Sequence, residues 1–470
     1  MLERLFHLRE HNTTVGREVI GGAATFMALS YIVIVQPVVL SAAGMCHGGV
    51  FVATCVCSAF ACILMGLWSN LPVALAPAMG HNIFFAFTIC GAMGWMWQEA
   101  LAANMIAGAV FIVLAATGFQ ESIIRGIPDS LKYAIAVGIG LLIAFVGLQW
   151  GGLVVDDPAV YVKLGRLGSP IALLTLFGLA ATGIMLVYNI RGALLYGVLI
   201  TTLAGLIASH YGAGGWGYDL VSWKGKVVSG LPDTEGTIGG VFGGFKTLFT
   251  DHPFSKWIAI IFIFIVLDIF DTVGTLIGVA ERAGLVKDGT IPRAKQALLS
   301  DGAGTVAGTV MGTSTITSYV ESAAGIAAGA RTGLAPIVTG VLLLASLFFY
   351  PLVEMVGGQV EIPDPELAAA AAPGVITPFS AWHPVIAPVL IIIGCYMMPV
   401  VTKIKWNDMT EALPAFLTIV VMQFALSISH GIAWGFISYV VLKGVRGRFR
   451  EIHPLVAVFA ALFVIFLIVE

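Results

Sequence analysis

Long apolar runs recur along this chain, and they constrain its fold more than any other feature. Each run is roughly 17–25 residues long, the length that crosses the ~30 Å hydrocarbon core of a bilayer as a helix. Only 10% of the residues are charged and 59% are hydrophobic, whereas a soluble globular chain carries about 25% charged residues. Barrel strands would alternate apolar and polar residues, but these runs are apolar on nearly every face, as at 257–267. The sequence therefore predicts an all-α polytopic membrane protein.

Fourteen apolar windows are long enough to be membrane spans. They lie near residues 18–43, 49–69, 71–90, 97–118, 131–150, 168–188, 193–210, 255–280, 296–312, 313–330, 332–353, 382–401, 409–427 and 430–445. A further apolar stretch at 453–469 is either another span or a helix on the membrane surface, and hydropathy leaves both readings open. The polar N-terminal segment lacks a short apolar core followed by a cleavage site, so we expect no removable signal peptide.

The distribution of lysine and arginine predicts the orientation in the membrane. With the N-terminus in the cytoplasm, 17 of the 23 basic residues fall on the cytoplasmic side, among them Arg125 and Lys287. The other six fall on the outer side, namely Lys163, Arg166, Lys224, Lys226, Lys246 and Lys256. Because cytoplasmic loops carry the excess of positive charge, we expect a multi-pass protein of the cell (inner) membrane with a cytoplasmic N-terminus.

A glycine-rich polar stretch divides the windows into two groups of seven. An odd number of spans brings the second half into the membrane from the opposite side, as in the inverted-topology repeats of many secondary transporters. The predicted organisation is a cytoplasmic segment 1–17, a first repeat 18–210, an extracytoplasmic loop 211–254, a second repeat 255–446, and a basic C-terminal segment 447–470 with a terminal apolar helix.

The third span is interrupted by two prolines. Pro72 and Pro77 lie within the window 71–90, and a proline inside a helix breaks or kinks it and favours extended backbone before it. We therefore expect a short extended segment followed by a half-helix that starts near Ala78.

The tenth span shows the same pattern in a different composition. It begins with β-favouring threonine, isoleucine, tyrosine and valine and changes to small residues after Glu321. Non-helical backbone at membrane depth persists only where protein or a water-lined cavity satisfies it, and half-helix N-termini direct their positive ends into such a cavity. Two broken spans at corresponding positions thus indicate a substrate site. The alternative is re-entrant loops with a packing role, which the polar residues in both segments disfavour.

The eighth span carries two aspartates inside an apolar helix. Asp268 and Asp271 are three residues apart and so share one helix face. A carboxylate at the bilayer centre costs roughly 3 kcal/mol, so both should face a polar cavity, together with Glu321 and the amide of Asn82. Such an acceptor-rich site suits a neutral ligand with N–H donors, or a cation, rather than an anion. Because a carboxyl group removed from water favours its protonated form, Asp271, Asp268 and Glu321 are the candidate proton-coupling residues.

Four further residues are candidates for substrate contact. His81 neighbours Asn82, Thr272 belongs to the aspartate motif, and Phe84 and Tyr319 offer rings that stack on a planar ligand. Core packing is the alternative role for these aromatic residues and for the histidine. The six cysteines are interpreted as small packing residues, and we predict neither a metal nor a cofactor.

Three stretches resemble the AzgA-like purine permease branch of the nucleobase–cation symporter-2 family. They are the 268–275 sequence DIFDTVGT, the 312–325 sequence GTSTITSYVESAAG, and the segment around Pro77, Gly80 and Asn82. The likeness covers essentially the whole chain. It departs at Gln36, Ala78 and His81, where the family pattern usually has Asn, Gly and Leu, which bears on substrate preference rather than on class.

The resemblance implies a function and an architecture. The family members are adenine, guanine and hypoxanthine permeases that act by symport, with spans 1–4 and 8–11 forming a core and spans 5–7 and 12–14 a gate. Asp268 and Glu321 would hydrogen-bond the purine edge, Asn82 would help to fix it, and Asp271 would support binding or proton coupling. An elevator-like movement of the core and a homodimer are also implied.

Two alternatives to purine import differ in what they require of the sequence. The same fold carrying a different neutral nucleobase or a small anion remains open, although an anion would need fixed positive charge near the half-helices, where only Arg331 is close. An enzyme or receptor would need a catalytic constellation or a sizeable soluble domain. The nine histidines are scattered, so we expect a transporter that is not an enzyme and does not bind nucleic acid.

Overall fold

The computed structural model describes residues 2–118, 126–157, 159–216, 218–285, 291–360 and 382–469. Two basic residues used for the orientation, Arg125 and Lys287, lie outside these ranges. Within the ranges the chain is built almost wholly of helices, with four short strands.

The first half alternates long helices with one break and one hairpin. It begins with α1 (Leu2–Phe6), α2 (Val15–Leu29), α3 (Ile32–Ser41) and α4 (His47–Trp68). Strand β1 (Leu75–Pro77) leads into α5 (Met79–Ile83), which continues as a π-helical segment (Phe84–Ala92) before α6 (Trp97–Thr117). The half ends with α7 (Asp129–Trp150), the hairpin of β2 (Val154–Asp157) and β3 (Tyr161–Leu164), α8 (Pro170–Val187) and α9 (Ala193–Trp216).

The second half again consists of helices with one strand between them, and it begins with a short helix. It contains α10 (Gly240–Asp251), α11 (Phe254–Arg282), α12 (Ala294–Met311), β4 (Ile316–Ser318) and α13 (Ser322–Ala327). These are followed by α14 (Leu334–Ser346), a 3₁₀ turn (Leu347–Phe349), α15 (Tyr350–Gly357), and α16 (Ala387–Met397) with a 3₁₀ extension (Met398–Lys403). The chain ends with α17 (Met409–Phe424), α18 (Ile428–Val445), a 3₁₀ turn (Phe449–Glu451) and α19 (Pro454–Val469).

Each of the fourteen predicted windows contains helix. Across the part of the chain that the structure describes, nine helical segments are long and apolar enough to cross a membrane: Val15–Ser41, His47–Trp68, Trp97–Thr117, Asp129–Trp150, Pro170–Val187, Ala193–Tyr211, Phe254–Ala280, Leu334–Gly357 and Ile428–Val445. Shorter apolar helices occupy the third, twelfth and thirteenth windows and the C-terminal stretch. The prediction of a mostly helical, multi-pass membrane protein is confirmed, while fourteen spans in two inverted repeats of seven stay a prediction.

The two broken spans meet in a small antiparallel sheet. β1 pairs with β4 in the register Leu75 with Ser318, Ala76 with Thr317 and Pro77 with Ile316. Both strands are buried on all three residues. The extended segments predicted for spans three and ten are thus confirmed. α5 begins directly after its N-cap residue Ala78, and α13 begins directly after Glu321.

The connecting stretch 211–254 carries more structure than the sequence indicated. α9 continues to Trp216, and α10 is a helix whose Val241 and Leu248 are buried against α6. The sequence pattern did not predict this helix, because Gly240 and Gly244 interrupt the series of apolar residues. Gly244 is needed, since a Cβ there would overlap the backbone of Gln98 at the start of α6.

Helices that are far apart in sequence pack side by side. α4 packs against α14, and α6 packs against α12. In addition, α2 packs against α14, and α11 packs against α6. α8 with α9, and α17 with α18, are packed sequential pairs, and α7 packs along α16.

The C-terminal helix α19 is a packed part of the molecule. It lies against both α11 and α18. Phe459 contacts Phe262 of α11 at a ring-centroid distance of 4.6 Å, and Phe463 lies 5.7 Å from Phe436 of α18. The apolar stretch 453–469, for which hydropathy could not distinguish a span from a surface helix, therefore packs against two other apolar helices.

Close contact between α4 and the start of α14 depends on two glycines. A Cβ on Gly66 would overlap the carbonyl oxygen of Gly333, and a Cβ on Gly333 would overlap the backbone of Gly66. The two backbones approach more closely than any side chain allows, as small residues permit between membrane helices.

We predict that Gly66→Ala destabilises the protein by about 1–3 kcal/mol, the usual cost of forcing an extra group into a packed interface. The measurement is the apparent melting temperature of purified protein in detergent. Gly183→Ala is the matched control, because nothing lies within 4 Å of a Cβ at that position. Equal melting temperatures for Gly66→Ala and the wild-type protein would contradict this packing.

Candidate substrate site

The paired strands place the two half-helices beside one another. Beyond the three paired positions, the backbone N–H of Ala78 donates to the carbonyl of Thr315 at 2.9 Å, and that of Tyr319 donates to the carbonyl of Ala74 at 2.9 Å. The Ser322 hydroxyl accepts from the N–H of Ala74 at 3.0 Å. These bonds hold the starts of α5 and α13 at one point inside the bundle.

The eighth-span aspartates lie against this sheet. α11 packs on β4 and α13, and the hydroxyl of Thr317 on β4 lies 3.4 Å from a carboxyl oxygen of Asp271. Asp268 is only 3% exposed, whereas Asp271 is partly exposed. Asp271 lies close enough to both Asp268 and Glu321 to interact electrostatically with each. The structure therefore brings the three predicted carboxyl groups together.

Glu321 has a partner that the sequence did not reveal. The hydroxyl of Tyr31, at the break between α2 and α3, donates to the carboxylate of Glu321 at 2.9 Å. The only sequence signal was a tyrosine in the first window, which also carries Gln36. Tyr396 of α16, a helix of the predicted gate, also lies within electrostatic reach of Glu321.

Asn82 is part of a buried amide and hydroxyl network. Its side-chain N–H donates to the carbonyl oxygen of Gln36 on α3, and its carbonyl oxygen accepts from the hydroxyl of Ser314. Gln36 also donates to the hydroxyl of Thr313 at 2.9 Å. The network joins spans one, three and ten. Asn82 is fully buried and its amide is engaged with protein partners, so its geometry favours positioning of the half-helix over free presentation to a ligand.

The other four candidates differ in their surroundings. His81 and Phe84 both lie against Phe264 of α11, with ring-centroid distances of 6.3 Å and 5.1 Å, and both are buried. The hydroxyl of Tyr319 donates to the carbonyl of Pro77 and so braces the sheet. The hydroxyl of Thr272 lies 3.4 Å from Asp268 and 3.0 Å from Asp301 of α12.

The described basic side chains do not pair with the carboxyl groups of this cluster. In the described ranges, no lysine or arginine side chain forms an ion pair with Asp268, Asp271 or Glu321. Arg331 donates through Nη1 to the carbonyls of Ile326 and Ala330, at the C-terminal end of α13. The cluster is therefore rich in acceptors and suits a ligand that brings hydrogen-bond donors.

We predict that Asn82→Ala lowers the stability of the protein, because it leaves the buried side-chain oxygen of Gln36 without its donor and the hydroxyl proton of Ser314 without its acceptor. Each buried group left unpaired costs about 1–3 kcal/mol. The measurement is thermal unfolding in detergent, with Asn407→Ala as the control, since Asn407 is exposed in a turn. Equal melting temperatures for the Asn82→Ala and Asn407→Ala variants would show that Asn82 does not stabilise the half-helix.

Comparison with known proteins identifies a family and close relatives. The model of the permease family Xan_ur_permease matches residues 16–362. The guanine/hypoxanthine permease PbuO of Bacillus subtilis is 40% identical over 465 residues, which cover 98% of this chain and 99% of that protein. The adenine permease AdeP of Escherichia coli is 40% identical over 468 residues, which cover 99% of this chain and 95% of that protein.

A solved structure shares the fold at low sequence identity. The transmembrane domain of a cyanobacterial bicarbonate transporter, BicA, superposes with a TM-score of 0.60 at 14% identity, covering 90% of this chain and 97% of that domain. The likeness concerns the arrangement of the helices alone.

Proposed function

The chain belongs to the permease family Xan_ur_permease, the nucleobase–cation symporter-2 family that its motifs resemble, and from that premise we propose that it imports purine nucleobases by proton symport. As a permease it is a membrane transport protein and not an enzyme. Adenine, guanine and hypoxanthine are the proposed cargo, because PbuO and AdeP are named for these bases and are similar along nearly their whole length.

One observation carries the proposal beyond likeness. Three carboxyl groups from two spans, Asp268, Asp271 and Glu321, meet beside the paired strands without a basic partner among the described residues. A purine presents ring N–H groups and, in adenine and guanine, an exocyclic amine, all of which are donors that carboxylates accept. The same groups bind protons, so a carboxyl cluster in this position links cargo and proton.

A small anion is the second candidate cargo, since BicA is named as a bicarbonate transporter and has the same fold. The side chains argue against it in this chain. An anion would meet carboxylates at the junction, and like charges at such a distance in a low dielectric repel strongly. Arg331, which contacts the carbonyls of Ile326 and Ala330, is engaged at the far end of that helix.

The packing of the helices supports an inverted repeat. If each span corresponds to the span seven later, α4 on α14 corresponds to α12 on α6, and α2 on α14 corresponds to α11 on α6. The pairs α8–α9 and α17–α18 correspond as well, and β1 pairs antiparallel with its own counterpart β4. These relations are those of a two-fold axis in the membrane plane.

The proposal includes a moving core. Spans 1–4 and 8–11 would carry the site, and spans 5–7 and 12–14 would form the gate against which the core shifts. A homodimer in the inner membrane with cytoplasmic N-termini completes the proposal.

We predict that the chain restores uptake of radiolabelled adenine, guanine or hypoxanthine to a host that lacks purine permeases, and that a protonophore abolishes accumulation. Asp268→Ala and Glu321→Ala should each reduce uptake by more than about tenfold, because loss of one hydrogen bond to a charged group costs about 1.5–3 kcal/mol. Glu354→Gln is the control, because Glu354 is an exposed carboxylate paired with Lys224. Unchanged uptake in both site variants would refute the site, and uptake insensitive to the protonophore would refute the coupling.

We predict that a disulfide between Gly80→Cys and Ile139→Cys stops transport, because it ties the third span of the core to the fifth span of the gate. A Cβ on Gly80 would lie 3.0 Å from Cγ2 of Ile139, which puts the two Cβ atoms within about 4.5 Å, the range a disulfide spans. The measurement is uptake before and after oxidation, and again after reduction, with the native cysteines replaced by alanine.

A matched disulfide within the core serves as the control. A Cβ on Gly340 would lie 3.4 Å from the Cβ of Cys62. Gly340→Cys, in a protein that keeps Cys62 and has its other native cysteines replaced by alanine, therefore links spans eleven and two. Oxidation of this pair should leave transport intact. Full transport by the oxidised core-to-gate pair would rule out a shift of core against gate.

A further inference from the structure

We propose that Asp301 of α12 is the residue that holds the transported proton, as the partner of the substrate carboxylate Asp268. The inference rests on the proposed function, because it names the proton site of that same transporter. Asp301 is not a predicted substrate contact, and it lies behind the cluster rather than in it.

The geometry places Asp301 in a closed pair with Asp268. Both carboxyl groups are buried, with exposures of 0% and 3%. The hydroxyl of Thr272 lies between them, 3.0 Å from Asp301 and 3.4 Å from Asp268. The two carboxyl groups also lie close enough to interact electrostatically. Two ionised carboxylates that share one buried hydroxyl repel each other, so this arrangement favours a proton on the pair.

The count of donors around the pair leads to the same conclusion. Besides the backbone N–H of Ser318, which approaches Asp301, the donor between the two groups is Thr272, whose one hydroxyl proton can go to only one of the two carboxylates. The second oxygen of Asp301, Oδ2, is buried and has no hydrogen-bond partner among the described residues. A buried charge with an unpaired oxygen is costly, and a bound proton removes that charge.

Among the described residues of the surrounding helices, no cation acts on the pair. α12 packs against α4, α6, α10 and β4, and α11 packs against α5, α6, α10, α13, α19 and β4. The one further charged group from these described elements that acts on both members of the pair is another acid, Asp271. The environment therefore favours neutralisation of one member of the pair by a proton.

The positions of Asp301 and Asp268 assign the two carboxyl groups different roles. With a proton on Asp301, Asp268 stays ionised and accepts an N–H from the purine. The proton reaches Asp301 through Thr272, whose hydroxyl proton passes to Asp301 as the oxygen receives one from Asp268. One proton binds from the outer side and one leaves to the cytoplasm after the purine departs. Asp301 thus acts through Asp268 as a positioning and proton-holding residue.

The test uses purified protein in liposomes with Asp301→Asn, which resembles the protonated side chain. We expect this variant to bind purine and to exchange internal for external purine, while accumulation driven by a pH gradient falls to the equilibrium level. The pH dependence of purine binding should also flatten. Glu354→Gln is the comparison, because Glu354 lies outside the cluster and pairs with Lys224, and it should keep a pH-dependent accumulation.

Further measurements keep the inference falsifiable if Asp301→Asn does not fold. Thr272→Val keeps both carboxyl groups and should slow proton-driven uptake more than purine exchange. In the wild-type protein, an infrared band of a protonated carboxyl group should change on purine binding, and the same change should be seen in Glu354→Gln. Equal slowing of proton-driven uptake and of purine exchange in Thr272→Val would overturn the inference, as would gradient-driven accumulation by Asp301→Asn. Absence of purine uptake by the wild-type protein would instead refute the proposed function.

Discussion

The pairing of β1 with β4 is the constraint on which the rest of the site depends. A bilayer offers no hydrogen bonds to an extended backbone, and each unsatisfied group there costs several kcal/mol. The two broken spans meet this requirement by pairing with each other, from Leu75–Pro77 to Ile316–Ser318. Neither segment is viable alone, so the two halves of the chain must fold together at this point.

The same pairing explains where the polar side chains lie. Extended backbone at the centre of the bundle has to be enclosed by protein, and the helices that enclose it bring their polar faces inward. α11 contributes Asp268 and Asp271, α12 contributes Asp301, and α3 contributes Gln36. The hydroxyl of Thr305 on α12 bonds both the N–H and the carbonyl of Ile316, at 3.1 Å and 3.0 Å. The polar residues are therefore of two kinds, those that hold the strands and those that remain for a ligand or a proton.

The sequence was sufficient to predict the membrane class, both broken spans and the acidic cluster. Each of these depends on local composition: apolar length, two prolines at 72 and 77, and carboxylates inside apolar helices. What it did not predict depends on contacts between distant segments. Tyr31 reaches Glu321 across 290 positions, and Asn82 is engaged by Gln36 and Ser314 from two other spans. No local pattern distinguishes an asparagine that faces a ligand from one that braces a half-helix.

The likeness to a bicarbonate transporter at 14% identity shows how little the scaffold says about cargo. The strands pair through backbone atoms, which are the same for any side chains, so the fold persists while the sequence diverges. Cargo is decided by the few charged groups at the junction and by what neutralises them. In this chain the described groups at the junction are acids, and Arg331 is engaged at the far end of α13. We propose that protons offset part of this negative charge when a neutral donor-bearing base is held, which would couple the movement of cargo and proton.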